Sequence, residues 1–178
     1  MLRLFNRLSA TATVTPRKED VPFFLEVQKF RQGWIWALLI FVALSQVGVV
    51  AALGGKLVAV SVGSSIIAIG MLVWFYWMKL VVEVDASGII IRFRGLFTNR
   101  RITFDQIAAF GARTYRPILE YGGWGIRGFS SNRAYNVSGN RGVQLVLDNG
   151  DRVLIGSQRA DDLARAISEA SNREASNF

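Results

Sequence analysis

Two unbroken apolar runs, Trp34 to Leu53 and Leu57 to Trp77, constrain this chain more than any other feature, and neither contains a Lys, Arg, Asp or Glu. Each is about 20 residues long, which at a rise of about 1.5 Å per residue matches a hydrocarbon core of about 30 Å. Only Gly54-Gly55-Lys56 separates them. The pattern predicts a two-helix transmembrane hairpin, with spans at 34–53 and 57–77. A buried core hairpin is the competing reading, but the chain holds no soluble partner segment of matching size. The first run is also longer than a signal-peptide apolar region of about 7–15 residues and leads straight into a second span.

Composition agrees. At 178 residues, 51% of them hydrophobic, the natural reading is one domain plus an anchor. Cysteine and histidine are absent. That excludes disulfides, Cys/His zinc sites and histidine acid–base chemistry.

Formal net charge is +8, and its distribution carries the information. Arg3, Arg7, Arg17, Lys18, Lys29 and Arg31 precede the first run; Lys79, Arg92, Arg94, Arg100 and Arg101 follow the second, and Lys56 alone lies between. Positive flanks stay inside, so both termini are expected on the cytoplasmic side. Trp34, Trp36, Trp74, Tyr76 and Trp77 fall at the same ends, where amphipathic rings settle at headgroup depth. Counting outward from the Gly-Gly turn places Gln46 level with Ser64. Their expected role is a hydrogen bond fixing hairpin packing; a transport or signalling site is the alternative, though two uncharged helices make no ion path.

Residues 1–21 form a basic segment that reads either as a flexible tail on anionic lipid or as a transit peptide; the tail is preferred. In 22–33, Phe23, Val27 and Phe30 recur at helical spacing after Pro22, which predicts an interfacial helix. From Lys79 the period changes. Lys79–Asp85 and Ile89–Arg94 read as strands around an Ala86-Ser87-Gly88 turn, followed by Arg101–Phe104 and Ile107–Thr114. Gly142–Leu147 and Asp151–Ile155 flank Asp148-Asn149-Gly150 as a hairpin. Ser157 is placed to cap a last helix over about 159–170, with Ala160, Leu163, Ala166, Ile167 and Ala170 as its apolar stripe. The domain is expected over 79–172, with 173–178 as a tail.

Strands closed by one C-terminal helix follow the plan of the pleckstrin-homology (PH) fold. The segments VEVDASGIIIRFRGLF, RITFDQIAAF and GVQLVLDNGDRVLIGSQRADDLARAI, with YGGWGIRG at 121–128, GNRGVQL at 139–145 and LIGSQ at 154–158, resemble bacterial PH-like membrane proteins over about residues 22–170. The resemblance implies a two-helix transmembrane hairpin followed by a PH-like antiparallel β-barrel or sandwich with a C-terminal helix. It also implies a multi-pass protein of a bacterial inner (cytoplasmic) membrane. It implies scaffolding or binding rather than a reaction.

Gly123-Trp124-Gly125-Ile126-Arg127-Gly128 matches G-x-G-x-x-G, but a dinucleotide loop must lead into a helix and Phe129-Ser130-Ser131-Asn132 does not. Glycines beside Trp124 are better explained by positive φ and close packing. Asn136-Val137-Ser138 is a formal glycosylation sequon without use on a cytoplasmic domain. Nine arginines stand from Arg92 to Arg141 against only Asp105 and Glu120, interleaved with Tyr115, Tyr121, Trp124 and Tyr135. Arg92, Arg94, Arg100, Arg101, Arg113, Arg116 and Arg127 are the candidate surface for anionic lipid or a partner. Nucleic acid is the weaker reading. Pairing of Arg113 or Arg116 with Glu120 is the structural alternative. Asp161 and Asp162 favour a helix N-terminus, and no nucleophile has an identifiable base, so no catalysis, metal or cofactor is expected. The expected function is a membrane-anchored PH-like adaptor that binds a protein partner or self-associates. The alternative is a peripheral sensor of anionic lipid headgroups through an arginine-rich face.

Overall fold

A computed structural model describes residues 22–30, 33–52, 58–129 and 131–178. The basic segment 1–21 and the Gly54-Gly55-Lys56 connection lie outside the described residues. The order is β1 (Phe24–Lys29), α1 (Gly33–Ala52), α2 (Val58–Trp77), β2 (Lys79–Asp85), β3 (Gly88–Arg94), β4 (Thr98–Thr103), β5 (Ile107–Thr114), α3 (Pro117–Tyr121), β6 (Gly125–Phe129), β7 (Asn132–Asn136), β8 (Arg141–Leu147), β9 (Arg152–Gly156) and α4 (Ala160–Ser171).

Two sheets form. One is the antiparallel set β1-β2-β3-β4; the other runs β5-β8-β9-β7-β6. The β2–β3 turn closes because the Asp85 carboxylate accepts the Ser87 and Gly88 amides at 2.7 and 3.0 Å. Short side-chain acceptors of this kind mimic a backbone turn. Aliphatic and aromatic residues then fill the space between the sheets: Leu80, Val82, Val84, Ile89, Ile91 and Phe93 from the first sheet meet Phe110, Val143, Leu145, Val153 and Ile155 from the second. α4 buries Leu163 and Ile167 in the same core and lies against strands of both sheets.

The expected PH-like antiparallel barrel or sandwich is corrected by this topology: the two sheets do not join into a closed barrel, and the second is not wholly antiparallel. The chain between β5 and β8 makes an excursion through α3, β6 and β7, and β7 returns parallel to β9. A simple meander cannot produce that parallel pair, because parallel neighbours require a crossover.

Segment 22–33 is corrected as well. Its central residues are strand β1, paired with β2 from Phe24↔Val84 to Lys29↔Lys79, rather than an interfacial helix. The alternation is inverted, with Phe24, Glu26 and Gln28 inward and Leu25 and Val27 outward. Inward polar residues hide a strand from any reading based on apolar periodicity.

Among the described residues no helix is long and apolar enough to cross a membrane. This overturns the expected transmembrane hairpin, and with it the multi-pass inner-membrane placement. Domain contacts account for part of the apolar sequence. Phe75 packs edge-on against Phe30 at 5.6 Å, Met78 is buried, and the indoles of Trp36 and Trp74 donate to the carbonyls of Phe30 and Gly95. The domain-proximal ends of both helices are therefore committed to the β structure. α1 and α2 pack on one another, and outward residues such as Phe41 and Ile66 are exposed in the single chain.

Residues 173–178 do not hang free. Ser176 donates its amide to Phe110 O at 2.7 Å along the outer edge of β5. Gly111 leaves room for the Ser176 carbonyl there, which a Cβ would displace.

Candidate functional site

Pro117 opens α3, where its fixed φ suits the first helical turn. The helix stops at Gly122, which adopts φ 72°, while the Gly122 and Gly123 amides donate to Ile118 O and Pro117 O, each at 2.9 Å. Gly123 and Gly125 also have positive φ, 123° and 115°. That backbone turns Trp124 across the end of the sandwich, where its indole donates to Gly139 O at 3.1 Å.

Asn136 holds this loop from below. It is fully buried, accepts the Gly125 amide at 3.0 Å and donates to the Tyr115 hydroxyl at 3.1 Å. With its amide used at both ends, the Asn136 sequon has no geometry for a glycan. β6 begins inside the glycine motif, at Gly125, and runs on through Phe129, so the motif does not lead into a helix N-terminus and the dinucleotide reading has no structural basis.

The loop forms one wall of a groove of about 490 Å³; Phe30, Phe75, Met78 and Leu96 form the opposite wall. This volume lies within the range of about 300–1,000 Å³ typical of ligand pockets. α3 supplies Ile118 to the rim, and Ile118 and Leu119 are largely exposed. Arg113 fixes α3 in place: its guanidinium donates to Glu120 at 2.8 Å, Tyr121 at 3.2 Å and Gln144 at 3.1 Å. Burial raises Glu120, but the hydrogen bonds from Arg113 and the Arg116 amide, with both positive charges, outweigh it and hold the carboxyl below its ordinary value.

The predicted arginines do not converge. Arg92, Arg94 and Arg101 lie on the outer face of the first sheet, where Arg92 pairs with Glu83 at 2.8 Å and Arg101 with Asp85 at 3.1 Å. Arg100 sits opposite core residue Ile91 and reaches the Tyr135 hydroxyl at 3.5 Å. Arg113 serves α3, and Arg116 contributes its backbone amide to Glu120. Arg127 donates to Trp124 O at 2.9 Å at the groove. Gln46 and Ser64 are brought together, the serine hydroxyl donating to Gln46 Oε1 at 2.8 Å.

Of the loop motif, Gly123, Trp124, Gly125 and Arg127 all line the groove. Sequence reading missed the opposite wall: Phe30 falls in the expected interfacial helix, Phe75 in the expected second span, and Met78 between that span and the domain. Among the described residues no group of three acidic side chains is placed to hold a metal ion. No protein-family model matches the chain, and no curated protein matches it either.

Proposed function

We propose that this chain is an adaptor whose groove beside Trp124 takes an apolar segment of a protein partner. The carrying observation is the groove itself: apolar walls from two parts of the chain, an aromatic ring fixed by its own hydrogen bond, and an apolar rim at Ile118. Buried aromatic anchors dominate binding energy at such surfaces, and a rigid ring loses little entropy on association. Anion sensing through one broad arginine face has less support, because the arginines divide among separate surfaces and several already carry carboxylate partners.

A photo-crosslinking residue at Leu119 tests the reading in cells. One discrete adduct is expected, lost when Trp124→Ala is added and absent when the crosslinker stands at Arg165 on the exposed face of α4. An adduct of twice the chain mass makes the partner a second copy. The same adducts from both positions, or none from Leu119, would remove the proposal.

A further inference from the structure

Lys29, Lys79 and Arg94 stand in register across three adjacent strands, Lys29 opposite Lys79 and Lys79 opposite Arg94. Residues directly opposite share a face with Cβ atoms about 4.5–5.5 Å apart, and like charges so placed destabilise a sheet. The rest of this face offsets its cations, Arg92 with Glu83 and Arg101 with Asp85. This rung does not: among the described residues none of its three cations has an ion pair. Glu83 lies four residues along β2 from Lys79, about 13 Å at a rise of about 3.4 Å per residue. That exceeds a Debye length of about 8 Å, so its charge does not neutralise the rung.

The row opens into a second cavity, of about 510 Å³, walled by Trp74, Trp77 and Phe97. Trp74 is tied to the β3–β4 turn through Gly95 O at 3.0 Å. Phe97 is 98% exposed at φ 50°, in the left-handed region that L side chains rarely adopt. Three uncompensated cations beside an open aromatic wall form an amphipathic receptor: a guanidinium fork and two ammonium charges for an anion, and rings for what the anion is attached to.

We propose that Lys29, Lys79 and Arg94 bind the phosphate group of a phosphate ester, either a phospholipid headgroup or a soluble phosphate monoester. The site is separate from the groove at Trp124 and does not depend on it.

Tryptophan fluorescence of the purified full chain provides the assay, titrated with inorganic phosphate, glycerol 3-phosphate, short-chain phosphatidylglycerol and short-chain phosphatidylcholine. Saturable binding is expected for at least one of the first three. Response to the two soluble phosphates identifies a monoester site; response to phosphatidylglycerol alone identifies a lipid headgroup. Lys79→Gln with Arg94→Gln should weaken binding by about thirtyfold. Arg141→Gln, on the Arg141–Asp161 pair outside the cavity lining, should leave it unchanged. Lys29→Gln alone, one exposed change, should weaken binding severalfold and keeps the test decisive should the double variant fold poorly. Absence of saturable binding, or equal binding by the parent and Lys29→Gln, overturns the assignment.

Discussion

The Ser157 hydroxyl donates to Glu26 Oε2 at 2.6 Å across 131 residues of chain, and both side chains are buried. The Gln158 amide adds a second bond to Glu26 Oε1 at 3.0 Å, while Ser157 Oγ accepts the Arg159 amide at 2.9 Å. One carboxylate thereby fastens the first strand to the start of the last helix. Arg159 completes the junction over the Phe24 ring, 5.2 Å from its centroid.

Glu26→Ala should therefore destabilise the β domain by about 1–3 kcal/mol, because it leaves buried donors without an acceptor. Glu26→Gln keeps one acceptor and should cost less. Denaturant unfolding of both variants checks the order. Equal midpoints for Glu26→Ala and the parent would show that β1 is not held through this residue.

Asn136→Ala removes the brace beneath the Trp124 loop and strands the Gly125 amide and Tyr115 hydroxyl. The expected cost is about 1–3 kcal/mol. Loss of the Leu119 crosslink should appear at temperatures where the domain is still folded by circular dichroism. An intact crosslink with lowered stability would show that the groove does not rely on Asn136.

Gln46→Leu removes the acceptor of the Ser64 hydroxyl between α1 and α2. A typical hydrogen bond contributes about 0.5–1.5 kcal/mol net, so expression and folding should survive the change. Failure of the variant to accumulate would assign Gln46 a larger role than packing.

Stability should decline at both pH extremes. Burial raises Asp85 and Glu120, but hydrogen bonds and positive charge outweigh it: Ser87, Arg101 and Gly88 for Asp85, Arg113 and Arg116 for Glu120. Both carboxyls lie below their ordinary values of 3.8 and 4.5. Their contribution is present above those values and lost as pH falls through the folded-state values. Tyr115 and Tyr121 are raised above 10.0, chiefly by burial, so their contribution is full below that pH and is lost as pH rises through the folded-state values. Thermal melts across the range should show a plateau with a fall on each side. Arg113→Gln should shrink the acid fall, and an unchanged acid limb in that variant would contradict the assignment to Glu120.

Local pattern determined much of this protein. Alternation from Lys79 to Arg94 with the Asp85–Gly88 turn specified the β2–β3 hairpin. Asp148-Asn149-Gly150 specified β8–β9, and the stripe from Ala160 to Ile167 specified α4, because each depends on neighbours a few residues away. Counting from a Gly-Gly turn also sufficed to match Gln46 with Ser64. The glycine-rich loop around Trp124 was legible as a backbone that only glycine tolerates. Tertiary structure decided the rest. Glu26 and Gln28 break the apolar alternation, and their buried partners come from Gly156 of β9 and from Ser157 and Gln158 just before α4, so β1 was hidden. Phe30 and Phe75 read as an interfacial helix and a membrane span, with Met78 just beyond, until the Trp124 loop meets all three as a groove. The arginines read as one face because the strand was expected to start at Arg101, one residue past Arg100, and because the register that sets Glu83 diagonal to Arg92 is a pairing between strands. Side-chain periodicity reports which residues leave water, but the partner that receives them is set by contacts between distant parts of the chain.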